Sequence, residues 1–163
     1  MPTTPDFTAH AAERVERFST RLVHLLSFVP EERLAWSPAP DARSALRLVT
    51  HAALVNRFFA GLIGGDAPAA MPTPEEFFRT LHTDEHTVPT REGALAFLNE
   101  TTAELRGAIA KVDAETIDSN PNSPFGALPM RFWLGEAGDH LAAHAAQLAY
   151  LQTTWGDLDD HMG

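Results

Sequence analysis

Two histidines one helical turn apart, His140 and His144, sit in the alanine- and leucine-rich stretch GDHLAAHAAQLAYLQTTWG, residues 138–156. Side chains four apart on a helix are neighbours on one face. The pair can therefore present two ring nitrogens to one cation, at roughly 2.0–2.1 Å each for zinc. HExxH helices use the same spacing, although no glutamate accompanies it here. Ala137, Leu141, Leu148 and Leu151 share a stripe with the two rings, so the imidazoles fall on the inward face of the predicted helix. Burying two unpaired imidazoles costs free energy. A shared metal would satisfy both; hydrogen bonds to neighbouring helices or to water are the alternative.

His51, in LVTHAALVNRFF, stands three residues after Leu48 and four before Val55, which puts it on the inward stripe of another helix. Three inward imidazoles from two helices make a ligand set. Such a set leaves one or more positions open for water or substrate, the catalytic rather than the structural arrangement. Gln147, three residues beyond His144, faces the same cavity, either contacting a bound water or ligand or orienting a ligating ring. Asp139 points about 100° away from His140 around the helix. Asn56 and Arg57 lie one turn beyond His51; Arg57 either reaches the mouth of the site or snorkels to the surface. Of the other histidines, His10 and His24 read as surface or core-edge residues. His82 and His86 fall in a charged loop beside Asp84 and Glu85, and His161 in a solvated tail. No catalytic base is assigned.

These residues need helices to position them. Phe7, Ala11, Val15, Phe18, Leu22, Leu25 and Leu26 recur at three- and four-residue steps, predicting a helix over 6–29 that Pro30 ends. A Pro-rich loop follows, with Leu34 and Trp36 tucked against the core. A second helix is predicted over 44–64, capped by Ser44 and stopped by Gly64-Gly65. TPEEFFRTL reads as a short helix opened by Thr73 with Pro74 at its first position. A third long helix covers 90–112, residues 113–129 form a loop, and the last helix covers 130–154, followed by a frayed acidic tail. Four long helical patterns without strand alternation give an all-α fold, a four-helix bundle. The 163 residues suit one domain.

Composition narrows the chemistry. The formal net charge is −10, with one lysine, Lys111, and no basic block. That argues against a nucleic-acid partner and against anionic membrane surfaces. With no cysteine, disulfides, thiolate zinc sites and thiol nucleophiles are excluded. Neither a signal peptide nor an apolar run of the roughly 18–20 residues that span a bilayer is apparent, and the expected location is the cytoplasm.

Taken together, the residues resemble the DinB-like superfamily of bacterial four-helix-bundle proteins, the DinB/YfiT-like fold. LAWSPAPDARSALRLVTHAALVNRFFAGLI is similar to that family's entry into its second helix: a Trp and prolines, then Arg-Ser, then a His one to two turns in. TREGALAFLNETTAELRGAIA is similar to its third helix. GDHLAAHAAQLAYL is similar to its last-helix signature of His, three residues, His, then a Gln three further on. The family often carries Arg-Gly after the last His; this chain has Ala145-Ala146 there and keeps Gln147, which leaves the subfamily open.

The resemblance implies a bundle with a long crossover connection. It implies a divalent metal, nickel or zinc, held by His51, His140 and His144, and frequent homodimers. It also implies a small-molecule substrate. Members similar to mycothiol-dependent maleylpyruvate isomerase and bacillithiol transferases use a low-molecular-weight thiol, which would fit a chain that has no cysteine of its own. The expectation is thus a metal-dependent thiol transferase or hydrolase. The alternatives are a non-catalytic, stress-associated bundle whose metal stabilises it, and a plain helical dimer without metal.

Overall fold

The computed structural model describes residues 3–162. Its helices are α1 (Thr4–Phe28), α2 (Ala45–Gly64), α3 (Pro74–Asp84), α4 (Arg91–Ile109) and α5 (Met130–Thr153). The last long connection, predicted as plain loop, carries an antiparallel hairpin of β1 (Asn122–Ser123) and β2 (Gly126–Ala127), paired Asn122 to Ala127.

Local chemistry accounts for the helix ends. Ser44 Oγ accepts from the Arg47 backbone N–H at 3.3 Å, and Gly65 closes α2 at φ 81°, a conformation that costs glycine little. Thr73 Oγ1 accepts from the Glu76 N–H while the Glu76 carboxylate accepts from the Thr73 N–H, at 3.2 and 2.8 Å. That reciprocal capping box starts α3, which runs to Asp84, one turn further than the pattern TPEEFFRTL indicates. Thr90 Oγ1 accepts from the Gly93 N–H at 3.1 Å to start α4.

α1 packs against α5 and α4, and α2 packs against the same two helices, so the order around the bundle is α1, α5, α2, α4. α1 and α2 are consecutive in the chain yet diagonal in space, as are α4 and α5. The connections 29–44 and 110–129 therefore cross the end of the bundle. The connection 65–90 joins adjacent helices, and α3 within it lies on α2. α2 is long and apolar enough to cross a membrane by length and composition, but 67% of its most apolar window is buried inside the fold.

The core comprises the faces that the three- and four-residue spacing indicates. Leu22, Leu25 and Leu26 of α1, Leu98 and Leu105 of α4, and Leu134, Leu141 and Leu148 of α5 are fully buried, each contributing about 2 kcal/mol by transfer from water. Two positions on the predicted α1 stripe, Phe7 and Phe18, are only half-buried. Beside Phe18 the inward position is Ser19, whose hydroxyl accepts from Thr102 at 2.9 Å; Asn56 Nδ2 in turn donates to Thr102 Oγ1 at 3.3 Å. This buried polar chain links α1, α4 and α2. The C-terminal tail, expected to fray, lies along α1. Arg21 donates to the Asp160 carbonyl at 2.7 Å and to that of His161. The His161 ring, expected in solvent, stacks on Phe28 at 4.0 Å with Asp157 2.8 Å from its Nε2.

α1 approaches α5 closely at Gly138. A methyl group there would lie 2.7 Å from Cβ of Arg14, an atom fixed to the α1 backbone. Alanine gains about 1 kcal/mol of helix propensity over glycine, but separating two packed helices costs about 1–3 kcal/mol. Gly138→Ala is therefore expected to lower stability by about 1 kcal/mol, read as a drop of a few degrees in Tm; an unchanged or raised Tm would show that α1 yields freely at this crossing.

Candidate metal centre

α2 and α5 pack side by side, and each turns histidine into the seam. His51 and His144 are buried, and His140 is half-buried beside Phe59, whose ring lies edge-on to it at 5.9 Å. The three rings converge. Centroids are 5.3 Å apart for His51 and His140, 4.7 Å for His51 and His144, and 4.3 Å for His140 and His144. Nε2 of His140 is 3.3 Å from Nε2 of His51 and 3.0 Å from Nε2 of His144. One nitrogen from each ring lies within 4.8 Å of the other two.

The outer nitrogens decide what the inner ones offer. The Gln147 amide oxygen sits 2.8 Å from Nδ1 of His144, so that nitrogen carries the proton and donates. Nδ1 of His51 lies 3.2 Å from Oε2 of Glu85, close but off the line of an ideal hydrogen bond. A protonated Nδ1 leaves Nε2 with a lone pair. Lone pairs then face each other at the centre, an arrangement that repels unless a cation or a proton lies between them. Two nitrogens bonded to one tetrahedral zinc would be about 3.4 Å apart, close to the spacing here, so the residues fit a divalent metal. Nδ1 of His140 is buried with no hydrogen-bond partner among the described residues.

Burial and neighbouring groups keep the two α5 rings neutral. Burial, then the neighbouring rings of His144 and His51 and the Arg43 charge, push His140 down to about 2. Burial and His51 bring His144 down to about 4, against an opposing pull from Gln147. Neutral imidazole is the form that ligates metal.

Glu85 was not among the residues singled out from the sequence, and it organises the back of the site. It caps the C-terminus of α3, is 1% exposed, and accepts from Arg43 at 2.6 Å and Arg47 at 2.9 Å. Nδ1 of His82 also lies 3.1 Å from its carboxylate. Burial alone would raise its pKa, but the bonds from His51, Arg43 and Arg47 and the charge of Arg43 outweigh that and hold it at about 2. The only sequence signal was a carboxylate between two histidines in HTDEHT.

The remaining candidates are dispersed. Arg57 does not reach the site; it pairs with Glu100 and Glu104 of α4 at 2.8 and 3.1 Å. Asn56 belongs to the buried chain through Thr102, and Asp139 pairs with Arg14 on α1. Gln147 has its amide oxygen on the back of His144, the orienting position the sequence allowed beside ligand contact. His86 sits edge-on to His82 at 5.8 Å, away from the three-ring cluster.

On the other side of His51 and His140 opens a cavity of about 320 Å³. Phe58 and Phe59 of α2, Phe77 of α3 and Trp133 of α5 line it, and the exposed rings of Phe78, Phe125 and Phe132 stand at its rim. Phe125, at the tip of the hairpin, leans on Phe77 and Phe78 at 5.6 and 5.7 Å. The site thus has a charged, hydrogen-bonded back and an aromatic front.

Solved structures share this architecture. YfiT from Bacillus subtilis, described as a probable metal-dependent hydrolase with an unusual four-helix bundle topology, superimposes with a TM-score of 0.73 at 15% identity, covering 96% of this chain and 91% of that one. The DinB-like protein YjoA from Bacillus subtilis gives 0.67 at 15% identity, covering 92% and 94%. The mycothiol-dependent maleylpyruvate isomerase gives 0.67 at 14% identity, and this chain, 91% covered, spans 63% of that protein. No curated protein matches the chain. A family model for the DinB superfamily matches residues 14–148. Sequence and architecture agree: the chain belongs to the DinB superfamily.

Proposed function

We propose that His51, His140 and His144 bind one divalent cation, zinc or nickel, and that the chain is a metal-dependent enzyme acting on a small molecule, of the thiol-transferase or hydrolase type, in the cytoplasm. The observation that carries this reading is the convergence of the three imidazoles, 3.0 and 3.3 Å between Nε2 atoms, beside an aromatic cavity. Bound there, a divalent cation lowers the pKa of a coordinated water toward about 7 and holds a coordinated thiol as thiolate.

The protein's own groups favour an anionic third party. The three imidazoles are neutral ligands, and the single Glu85 charge faces two guanidinium groups, Arg43 and Arg47. The back of the site therefore leaves the cation's charge uncompensated, which favours hydroxide or thiolate over neutral water or thiol. Gln147 and Glu85 fix the rings from behind. Phe58, Phe59, Phe77 and Trp133 exclude water from the front and receive the organic part of a substrate. A thiol would arrive as co-substrate, since the chain has no cysteine. A mycothiol-dependent isomerase and a probable metal-dependent hydrolase among the similar structures are consistent with both branches. A purely structural ion is disfavoured because no fourth histidine or carboxylate joins the cluster among the described residues, and a closed structural site has four protein ligands.

Elemental analysis of protein purified without a His-tag tests the reading. Wild type is expected to carry near-stoichiometric metal and His144→Ala little; metal-free wild type that takes up neither zinc nor nickel would overturn it. Turnover of thiol conjugates with either metal restored separates an enzyme from a storage or structural bundle. Glu85→Gln, which removes the carboxylate behind His51, is expected to weaken metal affinity by about 10–100-fold, measured by competition with a chromophoric chelator; unchanged affinity would mean that Glu85 serves the fold alone.

A further inference from the structure

One carboxylate in the aromatic cavity has no counter-charge. Glu136 lies one turn before His140 on α5, on the same face, and it lines the cavity with His51 and His140 as the other polar residues of the wall. Its charged neighbours on α5 are all paired: Arg131 with Asp118 at 2.9 Å, and Asp139 with Arg14. No hydrogen bond or ion pair reaches Glu136 among the described residues. Glu136 is half-buried, so its charge stands at the cavity with no protein partner and is open to a cationic ligand.

The rest of the wall is suited to one kind of partner. Phenylalanine and tryptophan faces carry negative potential and attract cations, and aromatic cages with a nearby carboxylate recognise ammonium groups. Here the rings of Phe58, Phe59, Phe77 and Trp133 line the volume, packed against one another with centroids 4.7–6.3 Å apart. Beyond the imidazoles and the indole N–H of Trp133, the side chains of this wall offer no donor to an anionic or neutral polar substrate.

We propose that the cavity takes an organic cation, an ammonium or quaternary ammonium group carried on an apolar or aromatic body, with Glu136 as its counter-ion and the ring faces as its walls. This deepens the function proposed above and rests on it in one respect: the cavity beside the histidines is taken as the substrate's place. Glu136 is then a specificity determinant, one helical turn from the ligand His140. It selects the charge of the substrate without holding the metal.

The test uses a probe that cannot ligate a metal. Benzyltrimethylammonium and its uncharged carbon isostere, neopentylbenzene, are titrated into metal-loaded and metal-stripped full-length protein, with binding read by ligand-observed NMR. Wild type is expected to favour the cation by about tenfold or more, in both forms. Glu136→Gln is expected to weaken that preference several-fold while keeping its circular dichroism, its Tm and its metal content. Equal binding of both probes to wild type overturns the proposal, as does a preference undiminished in Glu136→Gln. Loss of metal from Glu136→Gln also overturns it, by making the carboxylate part of the metal centre. Protein that prefers the cation but takes up no metal leaves this inference standing and removes the metal-dependent reading; protein that binds metal without preferring the cation does the reverse.

Discussion

A single buried carboxylate holds the back of the site together. Glu85 is 1% exposed, and a charge in that position is tolerated only when it is paired and hydrogen-bonded. Arg43 comes from the connection between α1 and α2, Arg47 and His51 from α2, and Glu85 itself from the end of α3. Two stretches about 40 residues apart in sequence, 43–51 and the end of α3, therefore have to meet at one point for the charge to be satisfied. Breaking a buried pair by removing one member costs about 3–5 kcal/mol, more than a single core leucine contributes. The carboxylate thus fixes the loop before α2, the docking of α3 and the rotation of the His51 ring in one arrangement.

The histidines of α2 and α5 contribute the opposite way to stability. Leucine at either buried position would be removed from water at a gain of about 2 kcal/mol; imidazole in the same place loses hydration and needs partners. Gln147 and Glu85 supply partners for two outer nitrogens, and the three inner nitrogens have only one another. The surrounding core, with Ala52, Ala137, Leu141 and Leu148 at 0% exposure, is packed well enough to hold this unfavourable cluster in place. A cation shared by three lone pairs would convert the unfavourable centre into a favourable one.

That balance explains which parts could be read from the sequence. The three histidines were legible because helix periodicity places them: 51 falls on the stripe of Leu48 and Val55, and 140 and 144 on the stripe of Ala137 and Leu148. The bundle and its caps at Ser44 and Thr73 were legible for the same local reason. Glu85 was not, because its role is entirely tertiary. It is one of 22 acidic residues, and nothing within a turn of it distinguishes it from Asp84. The Ser19–Thr102–Asn56 chain was hidden likewise, since each member looks like an ordinary polar residue until three helices are brought together. The tail misled in the other direction. DLDDHMG has the composition of a frayed end, yet the stacking of His161 on Phe28 and the bonds from Arg21 to two backbone carbonyls hold it on α1.

The diagonal path of the chain separates two tasks within one site. The three histidine rings stand on α2 and α5, which pack against each other and cannot shift without disturbing the core. Much of the front wall comes from α3 and the hairpin: Phe77, Phe78, Leu81 and Phe125. These elements belong to the connections, and Phe78 and Phe125 are exposed. Changes in them alter the shape and size of the cavity without moving a histidine, because α3 is tied to the metal side only at its end, through Glu85. Phe58 and Phe59 of α2 and Trp133 and Glu136 of α5 are exceptions, since those helices carry both the histidines and part of the wall. A substitution at 136 therefore acts on the charge of the cavity at a fixed distance from His140, whereas one at 77 or 125 acts on its form. The fold can accordingly hold its chemistry constant while its specificity varies.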